Sequence, residues 1–476
     1  RRSSDLTLGK NLRSKVFNKV MSFSNTEMDK FSTASLITRS TNDIQQVQML
    51  MVMMLRVVIY SPIIAIGGII KVTKTNTSMT WIIAVAVIAI LSLVMILFIV
   101  VMPKFKVVQK LVDRVNLVTR EILTGIPVIR AFSTQKYEEK RFDKANLDLT
   151  KTNIFVNRVM ACMMPAMMLV MNGISVLIMW NGAHGVDSGA MQVGDMMAFI
   201  QYTMQIIMSF LMISAISIML PRAAVCVQRV DEVISTDLII EDKEQTENFK
   251  EDKKGYIEFN NVSFKYPNAE EDVLSDISFV AKPGETTAFI GSTGSGKSTL
   301  INLIPRFYDV TEGSIKVDGV DVRNVSQHDL REKIGYVPQK GILFSGTIDS
   351  NLRYGREEAT DVEIVRAAEI AQAMEFISSK PERFETEISQ GGTNVSGGQK
   401  QRLSIARAIA KNPEIYIFDD SFSALDFKTD SALRKALKQE TSDSTVLIVA
   451  QRISTILHAD QIIVLDEGKV DRKSVV

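Results

Sequence analysis

The residues with the clearest chemical potential form a glycine-rich loop that ends in a lysine and two hydroxyl side chains. Backbone N–H groups of such a loop close around phosphate oxygens at the start of a helix, the lysine adds a positive charge, and the first hydroxyl can ligate Mg²⁺. An apolar run at 286–290 precedes the loop and a helical pattern at 298–304 follows it, which is the context that this chemistry needs. The predicted phosphate-binding residues are Gly291, Ser292, Thr293, Gly294, Ser295, Gly296, Lys297, Ser298 and Thr299.

A second apolar run, Ile415–Phe418, ends in two carboxylates, Asp419 and Asp420. A carboxylate placed just beyond the carboxyl end of a strand can hold Mg²⁺ through water. The signal is weak alone and strong in a chain that also carries a phosphate-binding loop. We therefore predict that Asp419 and Ser298 hold the metal.

The elements that must position these loops are confined to the second half of the chain. From about Tyr256, short β-rich runs alternate with turns and helices, which predicts an α/β domain over 255–476. Residues 1–235 differ, because 23 of the 24 methionines lie between Met21 and Met219 and four apolar runs are long enough for membrane-spanning helices. The predicted spans of this all-α transmembrane domain are 48–70, 79–102, 159–180 and 196–220, and the first of them contains Arg56.

Charge indicates which partners to expect. Lys and Arg number 55 against 54 Asp and Glu, and the net charge of +1 disfavours nucleic acid as a partner. Basic residues concentrate in the first 46 residues and in 103–158, whereas 181–195 has none, and cytoplasmic loops collect such residues. We expect a multi-pass protein in a lipid bilayer, with the polar linker 236–254 leading to a cytoplasmic α/β domain.

The run Asn394–Arg402 identifies a family. It contains Ser396-Gly397-Gly398-Gln399, lies 17 residues before Asp419, and resembles the signature of ATP-binding cassette (ABC) transporters. Three further stretches agree: 264–267 resembles the adenine-stacking loop of the family, 336–339 its glutamine loop and 423–426 the loop that couples two sites. The resemblance implies a P-loop nucleotide-binding domain that binds ATP and Mg²⁺. It adds as binding residues Tyr266, Gln339 (also a metal ligand), Ser396, Gly397, Gly398, Gln399 and Asp426.

The first half resembles the exporter type of this family, which has six helices per half-chain. Segments 22–32 and 125–132 resemble the two coupling segments, short cross-helices that transmit motion of the nucleotide domains to the transmembrane helices. Four of the six helices are complete, and 471–476 does not resemble the closing helices of the family. We therefore expect the chain to be a fragment that lacks its N-terminal helices and its C-terminal end.

Three departures from the family pattern bear on the mechanism. Asp420 stands where a catalytic Glu is usual, Gln451 stands where the switch loop usually has His, and Gln390 replaces a usual Glu before the signature. A carboxylate that is one methylene shorter reaches a water less well, and an amide cannot carry a proton. Each ATP in this family lies between the phosphate loop of one chain and the signature of the other, so one site would be weak and the other complete.

That division resembles the heterodimeric multidrug exporters of bacteria. It implies that this chain is the degenerate half, with Asp420 and Gln451 at the catalytic positions and a non-identical partner that supplies Glu and His. The expected activity is ATP-driven export of a small hydrophobic molecule, drug, lipid or peptide across the cytoplasmic membrane. Two alternatives remain open: an ATP-gated regulatory or sensory membrane protein with little turnover, and a slow homodimeric exporter.

Overall fold

The computed structural model describes residues 2–75, 79–267, 269–451 and 456–475. The chain forms two compact units. The first comprises Arg1–Lys19 and Ala34–Ser235, and the second comprises Val20–Thr33 and Thr236–Val476. A short segment near the start of the chain therefore packs with the second unit.

The first unit is built from long helices. Two π-helical stretches, Arg39–Asp43 and Met54–Val58, join three of them into a nearly continuous rod from Thr33 to Thr75. The helices up to residue 234 are α1 (Arg2–Met21), α2 (Asn25–Lys30), α3 (Thr33–Thr38), α4 (Ile44–Met53), α5 (Ile59–Thr75), α6 (Thr80–Ala131), α7 (Gln135–Asp187) and α8 (Val193–Ile234).

Helices α6 and α7 form an antiparallel hairpin. Arg141 pairs with Glu121, and Arg114 lies 3.9 Å from Asp148. Both pairs fit the same antiparallel alignment of the two helices. The helices have 52 and 53 residues, or about 78 Å each at about 1.5 Å per residue. Both are long and apolar enough to cross a membrane, and a hydrocarbon core of about 30 Å leaves much of each helix outside it.

Apolar side chains from α5, α6, α7 and α8 form the core of this unit. Phe199, Ile206 and Ile207 on α8 are fully buried against Ile82, Ile90 and Ile178 of the neighbouring helices. The predicted spans 79–102 and 159–180 lie within α6 and α7. The predicted spans 48–70 and 196–220 fall on α4–α5 and on α8, and the side chains of 213–220 lie outside the described residues.

Two ion pairs join the rod to α8. Arg39 Nη1 lies 2.7 Å from Glu232, and Arg229 of α8 lies 3.3 Å from the buried carboxylate of Asp43. Each helix therefore contributes one cation and one anion. Because the pairs are reciprocal, sliding of either helix breaks both.

The second unit contains three sheets. A six-stranded sheet has the order β12-β11-β3-β10-β9-β6, with β12 as an antiparallel edge; a four-stranded antiparallel sheet has the order β2-β1-β4-β5; and β7 pairs with β8. The strands are β1 (Ile257–Phe264), β2 (Leu274–Ala281), β3 (Thr286–Gly291), β4 (Glu312–Val317), β5 (Val320–Asp321), β6 (Ile334–Val337), β7 (Gly346–Thr347), β8 (Glu387–Ile388), β9 (Ile415–Asp419), β10 (Thr445–Val449), β11 (Gln461–Asp466) and β12 (Lys469–Val475).

One face of the six-stranded sheet packs against helices, and the other packs against helices and the four-stranded sheet. Every residue of β9 and β10 is buried, as expected for central parallel strands. The helices of this part are α9 (Lys297–Leu303), α10 (Gln327–Glu332), α11 (Ile348–Leu352), α12 (Asp361–Ile370), α13 (Met374–Ser378), α14 (Gly397–Lys411) and α15 (Phe427–Glu440), with 3₁₀ turns at Glu251–Lys253, Arg353–Gly355, Arg383–Glu385 and Gln390–Gly392.

Helix α2 lies in the second unit although it precedes it in sequence by some two hundred residues. Ser24 and Glu27 form a capping box at its start, and the second oxygen of the buried Glu27 accepts a hydrogen bond from Ile239 N at 2.7 Å. Phe31 at its end is buried and stacks on Phe23. The segment predicted as the first coupling segment, 22–32, is therefore a helix that is anchored at both ends.

Two predicted segments look different in the structure. Residues 125–131 of the second predicted coupling segment are the last turns of α6 rather than a separate cross-helix, because the helical hydrogen bonds continue past Pro127, and a turn follows at 132–134. The predicted linker 236–254 is tied to the second unit: Ile240 is buried, and the backbone N–H groups of Glu247 and Lys250 donate to Asn324 O and Asp318 O.

One buried carboxylate connects the two larger sheets. Asp318, between β4 and β5, accepts from Gly255 N at 2.7 Å and lies 2.8 Å from Lys333 at the start of β6, and Lys333 also pairs with Glu414 before β9. Burial raises the pKa of Asp318, and the Lys333 ammonium opposes that effect. An unpaired charge at this position would be costly.

Asp318→Asn should therefore destabilise the second unit by about 1–3 kcal/mol, because it keeps the shape and the bond to Gly255 but removes the charge that faces Lys333. Denaturant unfolding of the purified chain measures the change. Asp443→Asn, at an exposed position, is the matched control. Equal unfolding midpoints for the two variants would contradict the assigned role of the pair.

Candidate nucleotide-binding site

The glycine-rich loop leaves the carboxyl end of β3 and opens α9. Gly291 has φ +152°, and a Cβ there would overlap the carbonyl oxygen of Leu465 on the adjacent strand. Gly296, with φ +91°, is the residue before α9, and a Cβ there would lie 2.7 Å from a methyl carbon of Leu274. Glycine is therefore required at both ends of the loop. The loop surrounds the N-terminus of α9, where backbone N–H groups favour an anion.

The side chain of Lys297 folds back over the loop. Its Nζ donates to Gly291 O at 2.9 Å, to Ser292 O at 2.7 Å and to Ser295 Oγ at 3.3 Å. Burial lowers the pKa of Lys297, and the carboxylates of Asp420 and Asp419 act in the opposite direction. The ammonium is thus held at the loop by carbonyls, a geometry in which phosphate oxygens can replace those acceptors.

Ser298 and Asp419 lie together, as predicted. Ser298 Oγ donates to Asp419 Oδ1 at 2.8 Å, and only 5% of Asp419 is exposed. Burial raises the pKa of Asp419 and the charge of Asp420 acts in the same direction, whereas the bond from Ser298 and the charge of Lys297 oppose it. A hydroxyl and a carboxylate are the hard oxygen ligands that Mg²⁺ prefers, and one or two protein ligands suffice when waters and phosphates supply the rest.

These two residues therefore fit the predicted metal. Among the described residues, no cluster of three or more His, Cys, Asp or Glu side chains could hold a metal ion. A site built from Ser298 and Asp419 would accordingly depend on phosphate oxygens to complete it.

Two glutamines converge on the second carboxylate. Asp420 is 7% exposed and has φ +46°, and its Oδ2 accepts from Gln451 Nε2 at 2.8 Å and from Gln339 Nε2 at 3.3 Å. Gln339 follows β6 and Gln451 follows β10, so both come from strands that neighbour β9. One oxygen of Asp420 is therefore engaged by two amides. Arg452–Thr455, the rest of the predicted switch loop, lie outside the described residues.

Tyr266 also reaches the loop. Its hydroxyl hydrogen-bonds Thr299 Oγ1 at 2.9 Å. Its ring makes a T-shaped contact with the Tyr308 ring, with 5.3 Å between the ring centroids. Tyr308 was not singled out in the sequence, because nothing local to residues 307–309 indicates that it would contact Tyr266. The aromatic side chain four residues after the end of the helix predicted at 298–304 was the available signal.

The signature residues occupy the start of α14. Ser396 Oγ accepts from Gln399 N at 3.3 Å and Gln399 Oε1 accepts from Ser396 N at 2.9 Å, so the two form a capping box. Gly397 is exposed, and a Cβ at Gly398 would lie 3.3 Å from Ala424 O, which places the signature beside the loop at 423–426. Asp426 caps α15 by accepting from Thr429 N at 3.0 Å.

The predicted site residues thus form two groups. In the part of the chain that the structure describes, no hydrogen bond joins Ser396, Gly397, Gly398, Gln399 or Asp426 to the glycine-rich loop. The other group, the loop with Tyr266, Gln339, Asp419, Asp420 and Gln451, is brought together at the carboxyl edge of the six-stranded sheet.

Comparison with known proteins finds two matching family models. Residues 6–210 match the model described as ABC transporter transmembrane region, and residues 274–423 match the model described as ABC transporter. An uncharacterized ABC transporter ATP-binding protein of Mycobacterium tuberculosis is 42% identical over 97% of this chain and 80% of its own length. A Staphylococcus aureus protein whose name assigns it provisionally to multidrug export is 39% identical over 74% of this chain and 60% of its own length.

A solved structure agrees with the fold. The structure of a bacterial Atm1-family ABC exporter with ATP bound superimposes with a TM-score of 0.81 at 25% identity, and the match covers 100% of this chain and 83% of that one. The predicted fold class, a helical transmembrane domain followed by an α/β ATPase domain, is confirmed.

Nucleotide binding should depend on Tyr266 and Lys297 and not on Gln451. We expect Tyr266→Ala to weaken ATP binding about tenfold or more through lost stacking on adenine, and Tyr266→Phe to weaken it much less, because the ring remains. Lys297→Ala should abolish tight binding. Titration of the purified chain with a fluorescent ATP analogue and Mg²⁺ measures these affinities, and Gln451→Ala serves as the control. Tight binding by Lys297→Ala would contradict the assignment.

Proposed function

Because the chain belongs to the ABC transporter family, as a half-transporter with an ATPase domain, we propose that it is the degenerate half of a heterodimeric exporter. Proteins of this family couple ATP hydrolysis to export across a membrane, and a half-transporter requires a second half-chain. The specific proposal concerns which of the two composite ATP sites turns over. In it, the partner is non-identical and carries Glu and His at the positions of Asp420 and Gln451.

The observation that carries this proposal is the pair of amides on Asp420. A general base must present a free oxygen to the attacking water within hydrogen-bond distance. The oxygen Oδ2 of Asp420 instead accepts from Gln451 and Gln339, and the side chain is almost fully buried. Two amides thereby engage Oδ2 of Asp420, and the side chain is one methylene shorter than Glu.

Gln451 cannot carry the positive charge that the usual His can carry. An amide donates and accepts hydrogen bonds but takes up no proton, so it cannot add positive charge as negative charge develops on the transferred phosphoryl group. Its only described side-chain hydrogen bond goes to Asp420. The Gln451 amide therefore donates its hydrogen bond to the Asp420 carboxylate. This pairing supports a site that holds ATP without efficient hydrolysis.

The residues that would bind the nucleotide and Mg²⁺ are all present. The loop N–H groups and Lys297 would bind the phosphates, Tyr266 would face the adenine, and Ser298 and Asp419, with Gln339, would hold Mg²⁺. The metal would neutralise phosphate charge when bound. The chain's own residues bind and orient the nucleotide, and none of the described contacts activates a water.

The signature is suited to serve the other site. Gly397 and Ser396 are exposed at the N-terminus of a 15-residue helix, with Ser396 fixed by its capping box. Backbone N–H groups at such an end favour developing negative charge. In the proposed heterodimer they would face the ATP on the partner's phosphate loop, where the partner's Glu and His complete a competent site.

We further propose the setting and cargo of the transporter. The protein would lie in the cytoplasmic membrane of a bacterium with its nucleotide domain in the cytoplasm, and the cargo would be a small hydrophobic molecule, drug, lipid or peptide. The name of the Staphylococcus aureus relative supports this class. A slow homodimeric exporter and an ATP-gated regulatory protein are the competing proposals, and the experiments below separate them.

The homodimer should hydrolyse ATP very slowly, and restoring the usual residues should raise its rate. We expect the double variant Asp420→Glu, Gln451→His to turn over about 10²-fold faster than the unchanged chain, because the base then reaches the water and the imidazole can carry charge. Steady-state ATPase of the purified protein in lipid measures both. The same double variant carrying Lys297→Ala is the inactive control. Robust ATPase of the unchanged homodimer, lost on Lys297→Ala, would contradict degeneracy.

In the reconstituted pair with its partner, the two motifs of this chain should respond differently. Gly397→Asp should nearly abolish turnover, since the signature contacts the competent site, whereas Asp420→Asn should cost less than about threefold. ATPase of the pair with each single change decides between the models. If both changes abolish turnover, Asp420 is a working base and the two sites are equivalent.

A further inference from the structure

The α6–α7 hairpin becomes basic where its apolar stretches end. Residues 80–101 of α6 carry no charge and extend about 33 Å at about 1.5 Å per residue, which matches a hydrocarbon core of about 30 Å. Lys104 lies just beyond this stretch, and Arg158 of α7 directly precedes a predicted span. Neither 80–112 nor 149–186 contains Asp or Glu. Both helices therefore leave the apolar region with cations only.

Two contacts fix the alignment of the helices at this level. Lys104 Nζ lies 5.7 Å from the centre of the Phe155 ring, and Arg114 lies 3.9 Å from Asp148. Both contacts fit one antiparallel alignment, in which Lys104 lies level with residues 155–158 of α7. The cations that end the two apolar stretches therefore lie at the same depth.

Three positive side chains surround the Phe155 ring. Lys151 precedes Phe155 by four residues and Arg158 follows it by three, so all three lie on one face of α7. Lys104 reaches the same ring from α6. These four side chains are exposed, and among the described residues no ion pair involves any of the three cations. We name Lys104, Lys151, Phe155 and Arg158 the basic cluster.

The nearest acidic residue along α7 does not cancel this charge. Asp148 lies one turn before Lys151, and it faces Arg114 of α6 at 3.9 Å. Along α6 the nearest acidic residue is Asp113, about 14 Å beyond Lys104 at about 1.5 Å per residue. The basic cluster therefore keeps an excess of positive charge.

The surroundings of the cluster indicate what it binds. Ile154 and Phe105 are exposed apolar neighbours of Phe155 and Lys104, and the uncharged stretches of both helices begin on one side of the cluster. A matching ligand has a negative group at the level of the cations and an apolar part that continues along those stretches. An anionic phospholipid has both parts, with its phosphate in the layer of a few Å outside the hydrocarbon core.

We propose that the basic cluster binds the headgroup of an anionic phospholipid. Lys104, Lys151 and Arg158 contact the phosphate, and the Phe155 ring and the stretch above it contact the acyl chains. The inference goes beyond the proposed function, because it depends on α6 and α7 crossing the bilayer and not on which ATP site turns over. A basic side chain near an anionic headgroup strengthens binding about fivefold.

The test titrates the purified full chain, in a neutral detergent, with dioleoyl phosphatidylglycerol or dioleoyl phosphatidylcholine and counts bound lipid by native mass spectrometry. We expect the anionic lipid to bind about tenfold more tightly than the zwitterionic one, with a preference that falls as salt is added. Lys104→Gln, Lys151→Gln and Arg158→Gln should each weaken phosphatidylglycerol binding about fivefold and leave phosphatidylcholine binding unchanged.

Two matched controls remove one charge elsewhere on the hairpin. Lys110→Gln changes an exposed lysine about 120° around α6 from Lys104, and Lys144→Gln changes an exposed lysine about 10 Å along α7 from Lys151. Each should alter the affinity less than about twofold. Lys104→Arg keeps the charge and should keep the affinity. Glycerol phosphate, which has the charged group without acyl chains, should bind about a hundredfold more weakly than the lipid.

Equal affinity for the two lipids would overturn the inference, and so would a phosphatidylglycerol preference that is unchanged in all three single Gln variants. Equal effects of Lys110→Gln and of the cluster variants would assign the preference to overall charge and would also reject the site. Glycerol phosphate binding as tightly as the lipid would replace the lipid site with a simple anion site. Because no arm measures ATP turnover, failure here leaves the proposed function untouched.

Discussion

Two adjacent carboxylates are buried at the carboxyl end of β9, and the arrangement around them follows from the need to compensate their charge. Burying one ionised group without partners is costly, and Asp419 and Asp420 are consecutive. The strand order β3-β10-β9-β6 solves this, because the residues that follow all four strands meet at one edge. Ser298 and Lys297 approach from β3, Gln451 from β10 and Gln339 from β6.

The two carboxylates are compensated by different chemistry. Asp419 is paired with a hydroxyl beside an ammonium, groups that can turn to phosphate and metal when these are bound. Asp420 is paired with amides, which have no second charged state to adopt. A Glu and a His at these positions would form a pair that can exchange a proton. Compared with a Glu–His pair, Asp420 and Gln451 form a hydrogen-bonded pair in which the amide does not titrate. The two changes therefore make structural sense as a pair.

Local patterns predicted the parts of the fold that depend on local geometry. The strand before the glycine-rich loop, the helix after it and the buried strand Ile415–Asp419 follow from composition and glycine placement, and Asp419 next to Ser298 follows from the motif. The partners of Asp420 could not be predicted, since Gln339 lies 81 residues and Gln451 31 residues away in sequence. The same holds for α2, whose Glu27 accepts a hydrogen bond from Ile239 N, 212 residues away in sequence. Residues 125–131 continue α6 because its helical hydrogen bonding extends past Pro127, and the role of 125–132 as a coupling segment stays a prediction.

The α6–α7 hairpin is pinned at successive levels, by Arg141 with Glu121, by Arg114 with Asp148, and by the Lys104 ammonium 5.7 Å from the centre of the Phe155 ring. These contacts oppose sliding of either helix along the other. Mechanically the pair is a single lever, whose short turn at 132–134 is the end on which a force can act. With an arm of about 78 Å, a rotation of about 5° displaces the opposite end by about 7 Å, roughly the width of a small molecule. Small movements at the turn are thus amplified by length alone.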